Sequence, residues 1–469
     1  MSRMIETPRR RDSIPYGAYY RRQSEEVLAA ERELTHTGPG SPMGEYMRAS
    51  WQPVCLSQEL TDVPKAIRIL HEDLVAFRDR SGQIGVLQLH CSHRGTSLEF
   101  GIVQQRGIRC CYHGWLYDVD GTILETPCEP ADSRLKDTVC QGAYPAFERD
   151  GIVFAYMGPP ESKPAFPEYD AYHFPHGTRL VPFSNLYACN WLQVYENLID
   201  HYHSAVLHNN MTVEGVDAEL AAGLNLGEGF HEMPVIEWQA TRDGNGMIFS
   251  AGRRLEGDKV WVRITEMNFP NFVATASLVP TAAQLRHTGV AMSRWQVPVD
   301  DENMIILGWR HFNDEIDPEH VGREEDCGVD KIDFLVGQTR HRTYDEKQRA
   351  PGDYEAMTSQ RPIALHQFEH PAKSDVGVYL CRQLLRDAVR GNTPPDGTRV
   401  SAAASGNTLP VYTSDSVLRV PRRQGPEDRE ALLITARRVV EAMKDCDALP
   451  SAERSAHAAK LLYAIDGGW

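Results

Sequence analysis

The chain has 469 residues, enough for two or three domains and a large core, and a formal net charge of −16. That charge argues against a nucleic-acid partner, since neutralising phosphates needs a surplus of Lys and Arg. The polar, basic start MSRMIETPRRRDS lacks the apolar core of a signal peptide, no apolar run is long enough to cross a membrane, and ten scattered cysteines are no disulfide framework. A cytoplasmic chain with no membrane partner is expected, in which Cys55, Cys189 and Cys381 serve as small hydrophobes.

Residues 1–34 are charged and irregular, with Arg9-Arg10-Arg11 and a helical-looking piece at Ser24–Leu34, and read as a surface extension. After the turn at Gly38–Pro42, short alternating segments at Ala66–Leu70, Leu74–Arg78 and Ile84–Leu89 predict strands bounded by Asp, Gly and Ser. Next come two Cys/His pairs, Cys91-x-His93 and Cys110-x-x-His113, each followed by a glycine (Gly95, Gly114) that permits a tight turn. Asp118–Gly121 predicts a hairpin turn, and Ile152–Met157 the last strand before a proline-rich linker at 158–167.

Two thiolates and two imidazoles on paired loops can enclose one small metal centre. Zinc would take all four on one ion. A Rieske [2Fe–2S] cluster takes the two cysteines on one iron and the two histidines on the other. A zinc finger usually keeps its cysteines together and its histidines together, whereas each half here contributes one of each, which suits two irons side by side. Cys111, in the variable position of the second pair, reads as a packed bystander. His90, one residue before the first ligand, reads as a surface or strand histidine.

The stretch Asn190–Asn210 has no Gly or Pro and reads as a buried helix carrying Glu196, Asn197, Asp200, His201, His203 and His208. Polar groups on so apolar a helix need partners, because unpaired burial costs about 1–3 kcal/mol even for a neutral group. An ideal helix would set His203 and His208 about 140° apart, so both reach one metal only if the helix unwinds near its end. His201 and His208 share a face but lie about 10 Å apart along it, which makes His203 with His208 the better pair and turns His201 elsewhere. Two histidines and a carboxylate form the facial triad of non-haem Fe(II) oxygenases.

Further strands are expected at Met247–Ala251, Val260–Thr265, Phe272–Ala276, Gly289–Val297 and Met304–Trp309, in an open antiparallel sheet. Arg263 and Arg310 could each clamp a substrate carboxylate or form a structural ion pair. Arg253-Arg254 read as solvated, Asp330 and Asp333 as parts of an exposed helix, Tyr379–Val389 as an amphipathic helix, residues 390–425 as loop, and Glu427–Ala464 as packing helices.

The pattern C-x-H-R-G, fourteen residues, then C-x-Y-H-G-W resembles the signature of Rieske iron–sulfur domains. Asn197, Asp200, His203 and His208, spaced N-x-x-D-x-x-H-x-x-x-x-H, resemble the mononuclear-iron motif of Rieske non-haem iron oxygenases. The segment 352–375, with Gln360 and the closing Ser374-Asp375-Val376-Gly377, is similar to the one that supplies the third iron ligand in that family; it puts Asp353 there, with Glu355 as runner-up. Residues 37–44 and 68–79 look like the phthalate dioxygenase and aryl O-demethylase branch, although no arginine pair follows His208 as phthalate itself would require.

The resemblance implies an α+β chain. An extension (1–44) would precede an all-β Rieske domain (45–160), an antiparallel-sheet catalytic domain with helices (161–395), and a C-terminal loop and helices (396–469). It implies a [2Fe–2S] cluster on Cys91, His93, Cys110 and His113 and Fe(II) on His203, His208 and Asp353. Asp200 would bridge the two centres across subunits of a head-to-tail trimer or dimer of trimers, with Asn197 beside it. The activity implied is hydroxylation of an aromatic substrate with O₂, by ring attack or O-demethylation. Electrons would come from NAD(P)H through a separate flavin and iron–sulfur reductase. The alternative is a Rieske electron-transfer protein without oxygen chemistry.

Overall fold

A computed structural model describes residues 32–208, 229, 232–241, 244–276, 287–316, 322–332, 337–392, 408–447 and 449–466. Arg9–Arg11, most of the Ser24–Leu34 piece, Asp333 and the residues after His208 lie outside the described residues.

The first half is built from short antiparallel strands. Lys65–Ile69, Glu72–Arg78, Ile84–Gln88 and Ala143–Tyr144 form one four-stranded sheet, and Trp51–Leu56, Ile152–Tyr156 and Ala146–Arg149 form a three-stranded one. Four strands of two or three residues, Ile102–Val103, Ile108–Arg109, Leu116–Tyr117 and Ile123–Glu125, make a small sheet; the second Cys/His loop joins its middle two strands, and the first leads from Ile84–Gln88 towards it. The turn at 118–121 joins the last pair, with Gly121 N–H donating to Asp118 O at 3.0 Å. Val75, Phe77, Leu87, Leu98, Ile108, Trp115 and Tyr117 form the core beneath these loops.

A nine-stranded antiparallel sheet dominates the second half. Its main path runs Arg179–Tyr187, Met304–Phe312, Val290–Pro298, Phe272–Ala276, Lys259–Asn268, Gly246–Arg254, Val235–Ala240, with His287–Thr288 and Ser414–Arg419 attached beside it. All five strands expected here are present, several of them longer than their local pattern indicated. Ser414–Arg419 is a strand inside the region expected to be loop, because Val417 and Leu418 pair with Trp261 and Val260 of a strand about 155 residues earlier. Helices Pro426–Lys444 and Ser451–Asp466 pack on the sheet through Leu432, Val439, Val440 and Leu462. Among the described residues no helix is long and apolar enough to cross a membrane.

The hairpin tip at Leu70-His71, with φ of 50° and 67°, lies against the turn after Val290–Pro298. Leu70 and His71 N–H donate to the carbonyls of Pro298 and Val299 at 2.8 and 3.0 Å, and His71 Nε2 stands 2.7 Å from Asp301 Oδ1. One hydrophobic core runs through both halves, from Leu56 and Phe154 to Trp295 and Trp309.

Two expectations fail on buried charge. Arg253 and Arg254 are 0 % and 6 % exposed, not solvated. Arg253 donates to Ser204 Oγ (2.8 Å) and His201 O (3.2 Å), and Arg254 is held by Asp428 and Val420 O. Asp330 sits in a turn with φ of 52° and pairs with Arg340 at 2.7 Å, so it belongs to no exposed helix.

Candidate metal centres

The two Cys/His loops have the same backbone construction. Gly95 N–H donates to Cys91 O (2.8 Å) and Gly114 N–H to Cys110 O (3.1 Å), with φ of +76° and +75° at the glycines. Cys91 N–H returns to Thr96 O and Cys110 N–H to Trp115 O. Such left-handed turns cost little only at glycine. They bring the His93 and His113 rings to 4.5 Å between centroids, and Trp115 stacks on His93 at 4.5 Å.

Cys91 and Cys110 are both buried and both free thiols. Tyr117 Oη lies 2.9 Å from Cys91 Sγ. His93 Nδ1 is buried and has no hydrogen-bond partner among the described residues. An imidazole nitrogen left bare beside paired buried thiols suits a metal ligand better than a structural histidine, because an unpaired buried polar atom is costly. Cys111 is exposed, not packed. His90 is exposed too, its Nδ1 3.1 Å from Gly95 O.

The second group forms around a break in the expected long helix. Trp191–Asn197 and Tyr202–Leu207 are separate helices. Asn190 caps the first through Leu192 N–H. Asp200 Oδ1 accepts Tyr202 N–H at 2.8 Å, a local side-chain bond that starts the second helix afresh. The interruption therefore precedes His203 instead of lying near the far end alone. His208 stands one residue past the second helix, at its C-cap, and its ring centroid is 5.4 Å from that of His203.

Asp353, first residue of the helix Asp353–Thr358, completes the group: Oδ1 is 3.5 Å from His203 Nε2 and Oδ2 is 3.4 Å from His208 Nε2. One donor atom from each residue lies within 4.8 Å of the others, a spacing that suits a shared ion. Asn197 Nδ2 donates to Asp353 Oδ1 at 3.2 Å, and Gln338 Nε2 donates to Oδ2. Burial alone would raise the Asp353 pKa, but His208, then His203 and Gln338, outweigh it and hold the carboxyl well below the usual range. Glu355 turns away to Arg342 and the Gly352 N–H.

Two cavities flank this group. The inner one, of about 90 Å³, has His203, His208 and Asp353 on one side and Val194, Leu198 and Ile306 among its apolar walls. The outer one, of about 360 Å³, is lined by Glu196, Asp200, His203 and Glu369, with Asp375 and Tyr379. Asp200 Oδ2 is 3.6 Å from His203 Nδ1. Burial favours a neutral His203 ring, yet Asp200 and Asp353 outweigh it and raise its pKa.

His201 does line the inner cavity, contrary to expectation; burial, with Arg253 and Arg263 nearby, keeps it neutral. Arg263 lines it too, in a structural ion pair with Asp415 (2.8 Å), and Arg310 donates to Ala291 O. Gln338 carried no sequence signal, being an isolated glutamine fifteen residues before Asp353.

The Rieske [2Fe–2S] domain profile matches residues 50–145. The chain is 65% identical, over 96% of both sequences, to the oxygenase subunit of a tert-butanol monooxygenase / tert-amyl alcohol desaturase from Aquincola tertiaricarbonis. The chain belongs to the Rieske non-haem iron oxygenases. Phthalate 4,5-dioxygenase oxygenase subunit of Pseudomonas putida is 42% identical to this oxygenase, over 74% of this chain and 83% of that one. The fold agrees with the terminal oxygenase of carbazole 1,9a-dioxygenase from Novosphingobium sp. KA1, at a TM-score of 0.54 and 18% identity, covering 79% of this chain and all of that one. As a member of that family, the oxygenase subunit carries a [2Fe–2S] cluster and a mononuclear iron, and draws electrons from a separate reductase.

Proposed function

We propose that this oxygenase subunit hydroxylates a small oxygen-bearing molecule with O₂, at an iron held by His203, His208 and Asp353. The observation that carries the reading is the convergence of these three side chains on one wall of a mostly apolar cavity. When bound, the cluster supplies single electrons and the mononuclear iron activates O₂. Cys91, Cys110, His93 and His113 hold the former, within residues 45–160; residues 161–395 hold the latter. Asn197 and Gln338 fix the Asp353 carboxylate, and Val194, Leu198 and Ile306 keep water from the substrate.

A cavity of about 90 Å³ has room for roughly six to nine water-sized groups. That favours a compact branched alcohol, the class named for the 65% identical relative. A small aromatic acid is the second reading, supported by the phthalate-acting relative and by the arginines in the wall.

Asp200, beside His203 in the outer groove, would bridge that histidine to a cluster histidine of a neighbouring subunit in a head-to-tail trimer or dimer of trimers. There the His113 loop of a neighbour, with exposed Arg94 and Tyr112 beside it, meets the acidic lining of Glu196, Asp200 and Glu369. The test is iron content and product. The holoenzyme with a reductase should hold about three irons per chain and convert tert-butanol to an oxygenated product seen by mass spectrometry. About two irons and no product would leave an electron carrier. Light scattering that shows an active monomer would remove the ring.

A further inference from the structure

Two arginines line the inner cavity, and among the described residues one of them, Arg294, has no carboxylate hydrogen-bonded to it. Arg294 lies on the strand Val290–Pro298, opposite Val273 and Gly308, and is 8 % exposed. Gly308 makes room for it: a Cβ there would fall 2.8 Å from the Arg294 Cβ. A guanidinium offers five N–H donors. Among the described residues Arg294 makes one long hydrogen bond, from Nη2 to Thr275 Oγ1 at 3.5 Å, and its Nε has no acceptor. Arg263, two strands away on Lys259–Asn268 and lining the same cavity, has both carboxylate oxygens of Asp415. Thr265 Oγ1, also in the cavity wall, is buried without a hydrogen-bond partner among the described residues.

A buried cation with so few acceptors is expensive to keep. Burial lowers its pKa, against the opposing pull of Tyr187 and Asp353. Neither neighbour supplies a hydrogen bond to it among the described residues. Groups that cost stability and line a site are retained for what they bind.

We propose that Arg294, with Thr265, anchors an acceptor oxygen of the substrate and so fixes which carbon faces the iron ligands. The substrate thus carries a hydroxyl or carboxylate at the end remote from the carbon attacked. This deepens the functional reading above and rests on it for the identity of the cavity.

The test uses two probes with the same tert-butyl body, tert-butanol and pivalate, titrated calorimetrically into the holoenzyme and into Arg294→Gln and Arg294→Lys. Arg294→Gln should weaken at least one probe tenfold or more, which is about 1.4 kcal/mol, while Arg294→Lys loses less. A greater loss for pivalate identifies a carboxylate, and a greater loss for tert-butanol a hydroxyl. The Tm of Arg294→Gln should equal or exceed that of wild type, since an uncompensated charge is removed. Unchanged affinities, a wild type that binds neither probe, or a Tm lowered by the substitution would each overturn the anchor. Iron analysis of the same samples keeps the two readings apart. A wild type without the third iron defeats the proposed function, whereas probe binding still decides Arg294.

Discussion

Asn197 and Gln338 hold Asp353 from opposite sides: one amide donates to Oδ1 and the other to Oδ2. Both carboxylate oxygens are thus directed at the two histidines, His203 through Oδ1 and His208 through Oδ2. The two amides fix the orientation of the acid, and the neighbouring histidines hold its carboxyl well below the usual range against burial.

Asp353→Ala should therefore drop iron from about three to about two per chain, abolish turnover, and leave the cluster's visible and EPR spectra intact. Glu355→Gln should keep all the iron, because Glu355 is engaged with Arg342 and the Gly352 N–H. Metal analysis of the two variants side by side decides which acid is the ligand.

Asp200→Asn should retain both metal centres and slow oxidation of the cluster in single turnovers with O₂ and substrate. The carboxylate sits 3.6 Å from His203 Nδ1 and reaches the outer groove, so under the proposed bridging role its loss should affect transfer between the centres and spare the ligand set. Wild-type single-turnover rates would deny Asp200 that role.

Tyr117→Phe removes the hydroxyl 2.9 Å from Cys91 Sγ. Hydrogen bonds to cluster sulfurs raise reduction potentials. A bond worth about 1 kcal/mol corresponds to roughly 40 mV for one electron, so the variant's potential should fall by about that much. Protein-film voltammetry reads the shift directly, and an unmoved potential would show that the bond is not made to a ligand sulfur.

Arg382 is 3 % exposed and clamps two acids, Glu196 at 2.5 and 2.6 Å and Glu369 at 2.6 and 2.9 Å. It ties the helix Val376–Val389 to the one that leads into the iron-binding turn. Arg382→Met strands both carboxylates and should cost about 3–5 kcal/mol in urea unfolding. A loss below about 1 kcal/mol would match an exposed pair instead.

The parts legible in the sequence were those whose chemistry is local. Cys91-x-His93 and Cys110-x-x-His113 are short turns with their own glycines, and their geometry needs little beyond the loop itself. His203 and His208 were also readable as a pair. The interruption before them was not, because it depends on one carboxylate, Asp200, choosing the Tyr202 N–H over solvent. Composition could not show that Arg254 is buried, since its partner Asp428 lies 174 positions away. Ser414–Arg419 is a strand only because Lys259–Asn268 offers it an edge. The placement of Gln338 against Asp353 and of Arg294 in the cavity wall is set by tertiary packing, which no spacing rule encodes.

The same imidazole, that of His203, borders both cavities. On the proposed head-to-tail assembly, the neighbour's cluster would face one side of this ring and the substrate the other. Substitutions in the outer groove would then alter electron supply while sparing the substrate's walls, and substitutions in the inner cavity the reverse.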